Sequence, residues 1–261
     1  MLKGIQFTLL VGPAVPVPVP RVVLDALVRV KITTKARETS GFELAFTLDN
    51  RSPLHTIFLL AGGSSIPLLR VIIVVTVNGT PNVLMDGVVT NQQVAPGNDS
   101  SHSTLTVTGE DLTRVMDYID FSGIPYPAMP VEARVAVVLA KYAALGVIPK
   151  VIPRIFSETP LPTEKIPAQK GKDKAYIEEL AREAGYVFYL EPGPAPGMSV
   201  AYWGPEVKIG QPQPALRING DAHTNTESLS FRFNADGATL PVVLIQNKQT
   251  HIPIPIPIPD I

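Results

Sequence analysis

The side chains of this sequence on which chemistry could be built are few. Its four histidines, His55, His102, His223 and His251, stand far apart. None is four residues from another and none lies in an HExxH, HxH or facial-triad setting, so the spacing that puts two imidazoles on one metal is missing. Asp221 and His223 come nearest to a ligand pair, but their Gly-, Asn- and Thr-rich surroundings read as a turn whose side chains satisfy local backbone. No GxSxG elbow presents a serine nucleophile. No GxxxxGK[ST] or GxGxxG loop cradles a phosphate, and Gly62-Gly63-Ser64-Ser65 lacks the lysine and the following helix. Asp117 and Asp120 would be the pair for general acid and base work, yet acids three apart near a helix end are ordinarily solvated. Lys165, Lys170, Lys172 and Lys174 form one basic cluster without interleaved aromatics, which reads as a solvated loop and not as a nucleic-acid footprint. Tyr186, Phe188, Tyr189, Tyr202 and Trp203 could line a ligand groove or fill the core of a small subdomain. These residues define no catalytic, cofactor-binding or metal-binding site, and they point away from an enzyme.

Composition narrows the classes further. The 261 residues are 45% hydrophobic and 17% charged, with a mean hydropathy of +0.20. Disorder needs the opposite balance, so the chain must bury a core. The formal charge is -1, from 22 Lys+Arg and 23 Asp+Glu, which leaves no global field to draw in nucleic acid or a membrane surface. The absence of cysteine removes disulfides, thiolate nucleophiles and thiolate metal sites together. The apolar run Ile66–Val77 contains Arg70 and falls far short of the ~20 residues that span a bilayer. Near the N-terminus, Pro13, Pro16, Pro18 and Pro20 interrupt the apolar stretch that a signal peptide would need.

Proline is the most unusual component, with 27 in the chain. Val15 to Pro20 and Ile252 to Pro259 alternate an aliphatic residue with proline. Each proline removes an N–H and keeps its predecessor extended, so both segments must be polyproline-like or edge-strand arms. Their aliphatic residues suggest that they lie along an apolar surface, such as one a neighbour would offer.

Between the arms the sequence reads first as β. Val22–Thr33, Gly41–Leu48, Leu68–Val77, Val83–Gln92 and Ser103–Thr108 are rich in Val, Ile, Leu and Thr and are separated by turn residues. In Gly41–Leu48, Phe42, Leu44, Phe46 and Leu48 fall on one face. Strands joined at such short intervals predict a barrel or sandwich, with residues 53–60 as a helical turn or a buried loop on a long connection.

The period then changes. Glu110–Ile119 places Leu112, Val115, Met116 and Ile119 at helical spacing, and Val131–Leu145 does the same between Pro130 and Gly146. Asp173–Ala184 is the clearest helix, with Asp173 as its N-cap, Ile177, Leu180, Ala181 and Ala184 on its buried stripe, and Gly185 ending it. It leads into an aromatic hairpin, Tyr186–Glu191 and Ser199–Trp203. Strands return at Ala215–Ile218, Ser228–Phe233 and Pro241–Gln246. The expected fold is mainly β with an α+β insert. A β domain covers residues 1–109, a helical connection 110–172, the insert with its hairpin 173–220, and returning strands with the Ile-Pro arm 221–261.

Two passages resemble a known family. Asp86-Gly87-Val88-Val89, followed by Leu105-Thr106-Val107-Thr108-Gly109-Glu110-Asp111-Leu112, is similar to the DG-strand and L-x-V-x-G-x-D-L passage of baseplate hub proteins of contractile tails. These are the phage late control D family and the N-terminal hub part of VgrG spike proteins. The run Asp173 to Tyr189 resembles that family's D-x-x-[FY]-[IL]-x-x-L-A-x-x-x-G helix leading into an aromatic strand. The resemblance implies a tail-tube-like β-barrel and a homotrimeric hub that joins the hexameric tail tube to a trimeric spike. Tail tube protein, a separate spike protein and other baseplate proteins would be its partners. It would work in an assembled particle, a virion tail baseplate or an extracellular injection particle, after synthesis in the cytoplasm. In the family each protomer typically supplies two barrels, whereas here too few residues follow Gln246 for a second. From the residues alone, a carbohydrate- or peptide-binding β module using the aromatic hairpin stands as the alternative, with a hydrolase of unrecognised site behind it.

Overall fold

The computed structural model describes residues 4–13, 15–35, 39–48, 52–59, 68–96, 103–154, 157, 159–163, 166–207, 242–246 and 253–257, the last two segments as backbone only. Two compact units divide the chain, Met1–Val207 and Lys208–Ile261. The strands expected at Ala215–Ile218 and Ser228–Phe233 lie outside the described residues.

The first unit is built on a curled half-barrel sheet. Its strands are β1 (Ile5–Gly12), β2 (Val17–Pro18), β3 (Leu27–Thr33), β4 (Gly41–Leu48), β5 (Arg70–Val77), β6 (Thr80–Pro96) and β7 (Ser103–Asp111). They lie in the order β2-β1-β5-β6-β7-β4-β3, and every pairing is antiparallel. Among the described residues both edges, β2 and β3, are unpaired on their outer side. The sheet's inner face carries the first core. Phe42, Leu44, Phe46 and Leu48 of β4 meet Leu9 and Val11, Val71 and Ile73, Met85 and Val89, and Leu105 and Val107 there. This is the alternation that β4 announces in sequence. A short helix, α1 (Arg21–Asp25), and a π-helical turn at His55–Leu59 cover that face, contributing Val23, Leu54 and Phe58.

Several elements differ from expectation, each for a local reason. Val22–Thr33 is not one strand, because Pro20 starts α1 and drives Val23 into the core before β3 begins. β1, which sequence patterning did not single out, is an interior strand of the sheet, paired along its length with β5. The Val-Pro arm folds back on β1 as the edge strand β2, with Leu10 opposite Pro18 and Val11 opposite Val17. Glu110–Ile119 is not an α-helix. β7 continues to Asp111, whose carboxylate caps a 3-10 helix at Leu112–Asp117 by accepting from Thr113 N at 2.9 Å. With about three residues per turn, Ile119 leaves the buried stripe and is 53% exposed.

The rest of the unit packs on the opposite face of β5 and β6. It comprises α2 (Val131–Ala140), a 3-10 turn at Ala143–Leu145, β8 (Val147–Val151), α3 (Asp173–Ala184), β9 (Val187–Pro192) and β10 (Ser199–Gly204). β9 and β10 form the expected hairpin, and β8 adds beside β10 in parallel, an unexpected third strand. Pro149 is tolerated in β8 because that strand is an edge. The helix ending at Ala140 stops short of the expected Leu145. α3 has the expected bounds, with Gly185 left-handed at φ 67° behind it. Its N-cap, however, is Lys172, and Asp173 is the first helical residue. Val88, Leu112, Met116, Val135, Val138, Leu139, Ile177, Leu180 and Trp203 make the second core.

In the second unit, β11 (Val242–Gln246) and β12 (Pro253–Pro257) form an antiparallel two-stranded sheet. The Ile-Pro arm is therefore a strand over Pro253–Pro257.

Candidate functional site

The two halves of the passage that carries the family resemblance meet at one corner of the sheet. The β6–β7 register sets Gly87 opposite Asp111 and Val88 opposite Glu110. A Cβ at Gly87 would overlap the Glu110 carbonyl oxygen, and one at Gly109 would overlap the Phe42 ring and the Val88 carbonyl. Both glycines are thus required by close backbone approach. On one side of the corner, Asp111 ties the end of β7 to the β3–β4 connection by accepting from Ser40 N at 3.0 Å, and holds the following 3-10 helix by accepting from Thr113 Oγ1 at 2.5 Å. On the other, Asp86 is paired with Arg70 of β5.

That pair is the most deeply buried ion pair among the described residues. Side-chain exposure is 3% for Arg70 and 0% for Asp86. Arg70 donates from Nε to Oδ1 at 2.7 Å and from Nη2 to Oδ2 at 2.6 Å, a two-bond fork. Nη2 also donates to the Gly197 carbonyl at 3.1 Å, and Ser199 Oγ donates to Asp86 Oδ2 at 3.3 Å. Gly197 and Ser199 belong to the β9–β10 hairpin, so this ion pair pins the insert to the sheet. Burial pushes the Asp86 carboxyl above its ordinary range, opposed by the hydrogen bonds and charge of Arg70 and by Ser199. In sequence Arg70 is conspicuous as a lone charge in Leu68–Val77, and that interruption is the signal that a buried partner must exist.

Beside the corner lies a cleft of about 500 Å³ lined by Lys35, Leu84, Asp86, Asp111, Tyr189 and Glu191, among others. Its Asp86 and Asp111 carboxylates are already occupied by the hydrogen bonds above. It is a seam between sheet and insert, with Glu191 and Tyr189 of β9 on its insert side.

A second polar junction holds the insert's helices. Asp173, fully buried, accepts from Lys141 Nζ at 2.8 Å, Gln169 Nε2 at 2.6 Å and Tyr142 OH at 2.6 Å. Burial, followed by the bond to Asp173, raises the Tyr142 phenol. Glu132, in the first turn of α2, accepts from Arg154 Nε at 2.8 Å and Ser157 Oγ at 2.6 Å. Partial burial would raise this carboxyl, but those hydrogen bonds outweigh it and hold it at about 2.

The sequence candidates fall as follows. Asp117 lies 4.0 Å from Lys174 Nζ. Asp120 accepts from Ser122 N and Oγ at 2.8 and 2.5 Å, bonds that lower its carboxyl. The two acids serve separate places, Asp117 the contact between the 3-10 helix and α3, Asp120 its own turn. Lys172 caps α3, Lys174 donates to Thr39 Oγ1 at 2.5 Å, and Lys170 borders a groove beside α2 and α3. The aromatic set divides: Trp203 is fully buried in the second core with the Tyr186 ring edge-on at 4.8 Å and Phe188 packed against it, whereas half-buried Tyr189 lines the cleft and stacks on Tyr202 at 5.1 Å. Lys165, His102, Asp221, His223, His251 and Gly62–Ser65 lie outside the described residues, as does the His55 side chain. Among the described residues no three His, Asp or Glu side chains gather as metal ligands, and no helix is long and apolar enough to cross a membrane.

The fold is therefore mainly β, a curled sheet with a helical insert. No protein-family model matches the chain, and no curated protein matches it. Solved structures are similar to the chain, three of them as follows. A tail protein from Neisseria meningitidis MC58 is 15% identical with a TM-score of 0.45, covering 76% of this chain and 50% of that one. The 43 kDa tail protein of prophage MuSo2 from Shewanella oneidensis is 15% identical with a TM-score of 0.43, covering 75% and 53%. The Francisella PdpA–VgrG complex, half-lidded, gives 7% identity and a TM-score of 0.49, covering 78% and 32%. The chain thus spans about half the length of the two tail proteins. Likenesses at this level assign it no residue role and no partner.

Proposed function

We propose that the chain is a structural subunit of the baseplate hub of a contractile tail or related injection particle, acting by association and not by catalysis. Three copies would surround the particle axis and adapt the sixfold tail tube to a threefold spike carried on a separate polypeptide, within a virion tail or extracellular particle. The observation that carries the reading is the corner at Gly87 and Asp111. The two halves of the first passage that resembles hub proteins come together there, and their glycines are demanded by the packing. The second resembling passage likewise forms one piece, α3 running through Gly185 into β9.

The test is solution mass and electron microscopy of the full chain, alone and mixed with tail tube and spike proteins. Three copies bound coaxially to tube rings are expected. A monomer that ignores both proteins and binds a glycan or peptide instead would replace the hub reading with the binding-module alternative.

A further inference from the structure

We propose that a groove on the insert binds a partner protein's segment that carries a carboxylate among apolar side chains, and that Arg134 receives that carboxylate. The groove has a volume of about 1020 Å³ and is lined by α2, α3 and the connection between β8 and α3. Val131, Pro160, Ile166 and Leu180 give it apolar walls. Leu161 and Ile166, both on the connection, are 56% and 50% exposed.

Arg134 of α2 lines this groove half-buried, and it differs from the other arginines held within the fold. Arg70 is matched by Asp86 and Arg154 by Glu132. Arg134 has no carboxylate partner among the described residues. Its one bond runs from Nη1 to the Tyr176 hydroxyl at 2.9 Å, its Nε is buried without an acceptor, and its Nη2 carries no bond. A guanidinium carries only donors and cannot shed its charge, so taking it out of water without an anion is costly. Tyr176, 3% exposed and lining the same groove, spends its oxygen on Arg134 and leaves its own proton uncommitted. Arg134 Nη2 and the Tyr176 O–H thus offer two donors to one acceptor group, and the paired ionic bond to a carboxylate is the strong form of such a contact. Lys170 adds a further positive charge to the lining. Glu179 and Glu183 line the groove as well, without pairing with Arg134, and favour a segment with a single acid over one with an acidic run. The volume stands at the upper end of small-ligand pockets. A free carboxylate would leave most of it unfilled, whereas a peptide also covers the apolar walls, and arginine is a favoured anchor in protein interfaces.

The test is NMR titration of the full chain, following the Arg134 Nε–H signal, which is assigned by its loss in Arg134→Lys. The probes are acetyl-Leu-Glu-Leu amide, the same peptide with Gln in place of Glu, and isovalerate. The Glu peptide is expected to move the Arg134 signal and to bind about tenfold or more tighter than the Gln peptide. Arg134→Gln should erase that difference, and R134K, which keeps the charge without the fork, should retain part of it. Should R134Q fail to fold, the two peptides on the wild type still decide. Equal binding of both peptides, or an Arg134 signal that no probe moves, overturns the proposal. Isovalerate binding as tightly as the Glu peptide overturns it too, because the groove would then be a pocket for a small carboxylate. The chain's own acids are tested by replacing Glu179, Glu183, and Glu158 and Glu164, which lie outside the described residues, one at a time with Gln. None should couple to R134Q in a double-mutant cycle of stability; an acid that does is the arginine's internal partner, and the proposal falls. The hub reading stands or falls separately, on mass and micrographs.

Discussion

Arg70 and Asp86 make an ion pair whose two members are each expensive to bury alone. Removing one partner strands the other charge in the interior, a loss of about 3–5 kcal/mol, whereas replacing both with apolar side chains is often neutral. Asp86→Ala is therefore expected to be strongly destabilised in urea unfolding, and the double variant R70M/D86L to recover most of that loss. A single variant as stable as the wild type would contradict the pinning of the hairpin to the sheet. Glu132 gives a test in pH. Its carboxyl is lowered from 4.5 to about 2 in the folded chain. Such a group adds stability that is fully present above about pH 4.5 and is lost as the pH falls through about 2. The stability gap between wild type and Glu132→Gln should thus be widest near neutrality and close on acidification. Constant separation from pH 6 to pH 2 would show that the Arg154 and Ser157 hydrogen bonds do not select the ionised form.

At the level of elements, legibility followed the number of constraints a segment writes into its own sequence. β4 shows a clean two-residue period because one face meets the first core, and α3 carries stripe, start and stop within one run. β4 was readable to the residue, and α3 in its bounds and its Gly185 stop, though its N-cap is Lys172 and not Asp173. β1 was not, since the prolines that follow it suggest a break, and only its pairing with β5 makes Ile5–Gly12 a strand. Leu112–Asp117 misled by helical spacing, where the capping carboxylate of Asp111 selects a tighter turn. The Arg70–Asp86 site was half legible: an interrupted apolar run betrays the charge, but no spacing reveals a partner sixteen residues away across a hairpin. Two left-handed glycines separate local from tertiary cause. Gly185 (φ 67°) faces open space, whereas a Cβ on Gly146 (φ 75°) would overlap the Gly197 carbonyl. Gly185→Ala should cost about 1 kcal/mol from the backbone alone, and Gly146→Ala at least twice that, measured by denaturant midpoint. Equal effects would mean that the β9–β10 turn yields freely.

For the whole molecule, the two compact units predict separable defects. Deleting Ile252–Pro259 removes β12 from the second unit while both hydrophobic cores lie within Met1–Val207. Assembly should weaken more than folding of the protomer, as seen by micrographs of assembled particles beside thermal melts; intact assembly would reduce the arm to a tether. Within the first unit, β6 has a further consequence. Adjacent residues Val88 and Val89 sit in different cores, one on each face of the same strand. Along this stretch the sheet is a party wall with no wet side. Neither core can melt by itself without flooding the back of the other, so the half-barrel and its insert are bound into one cooperative transition.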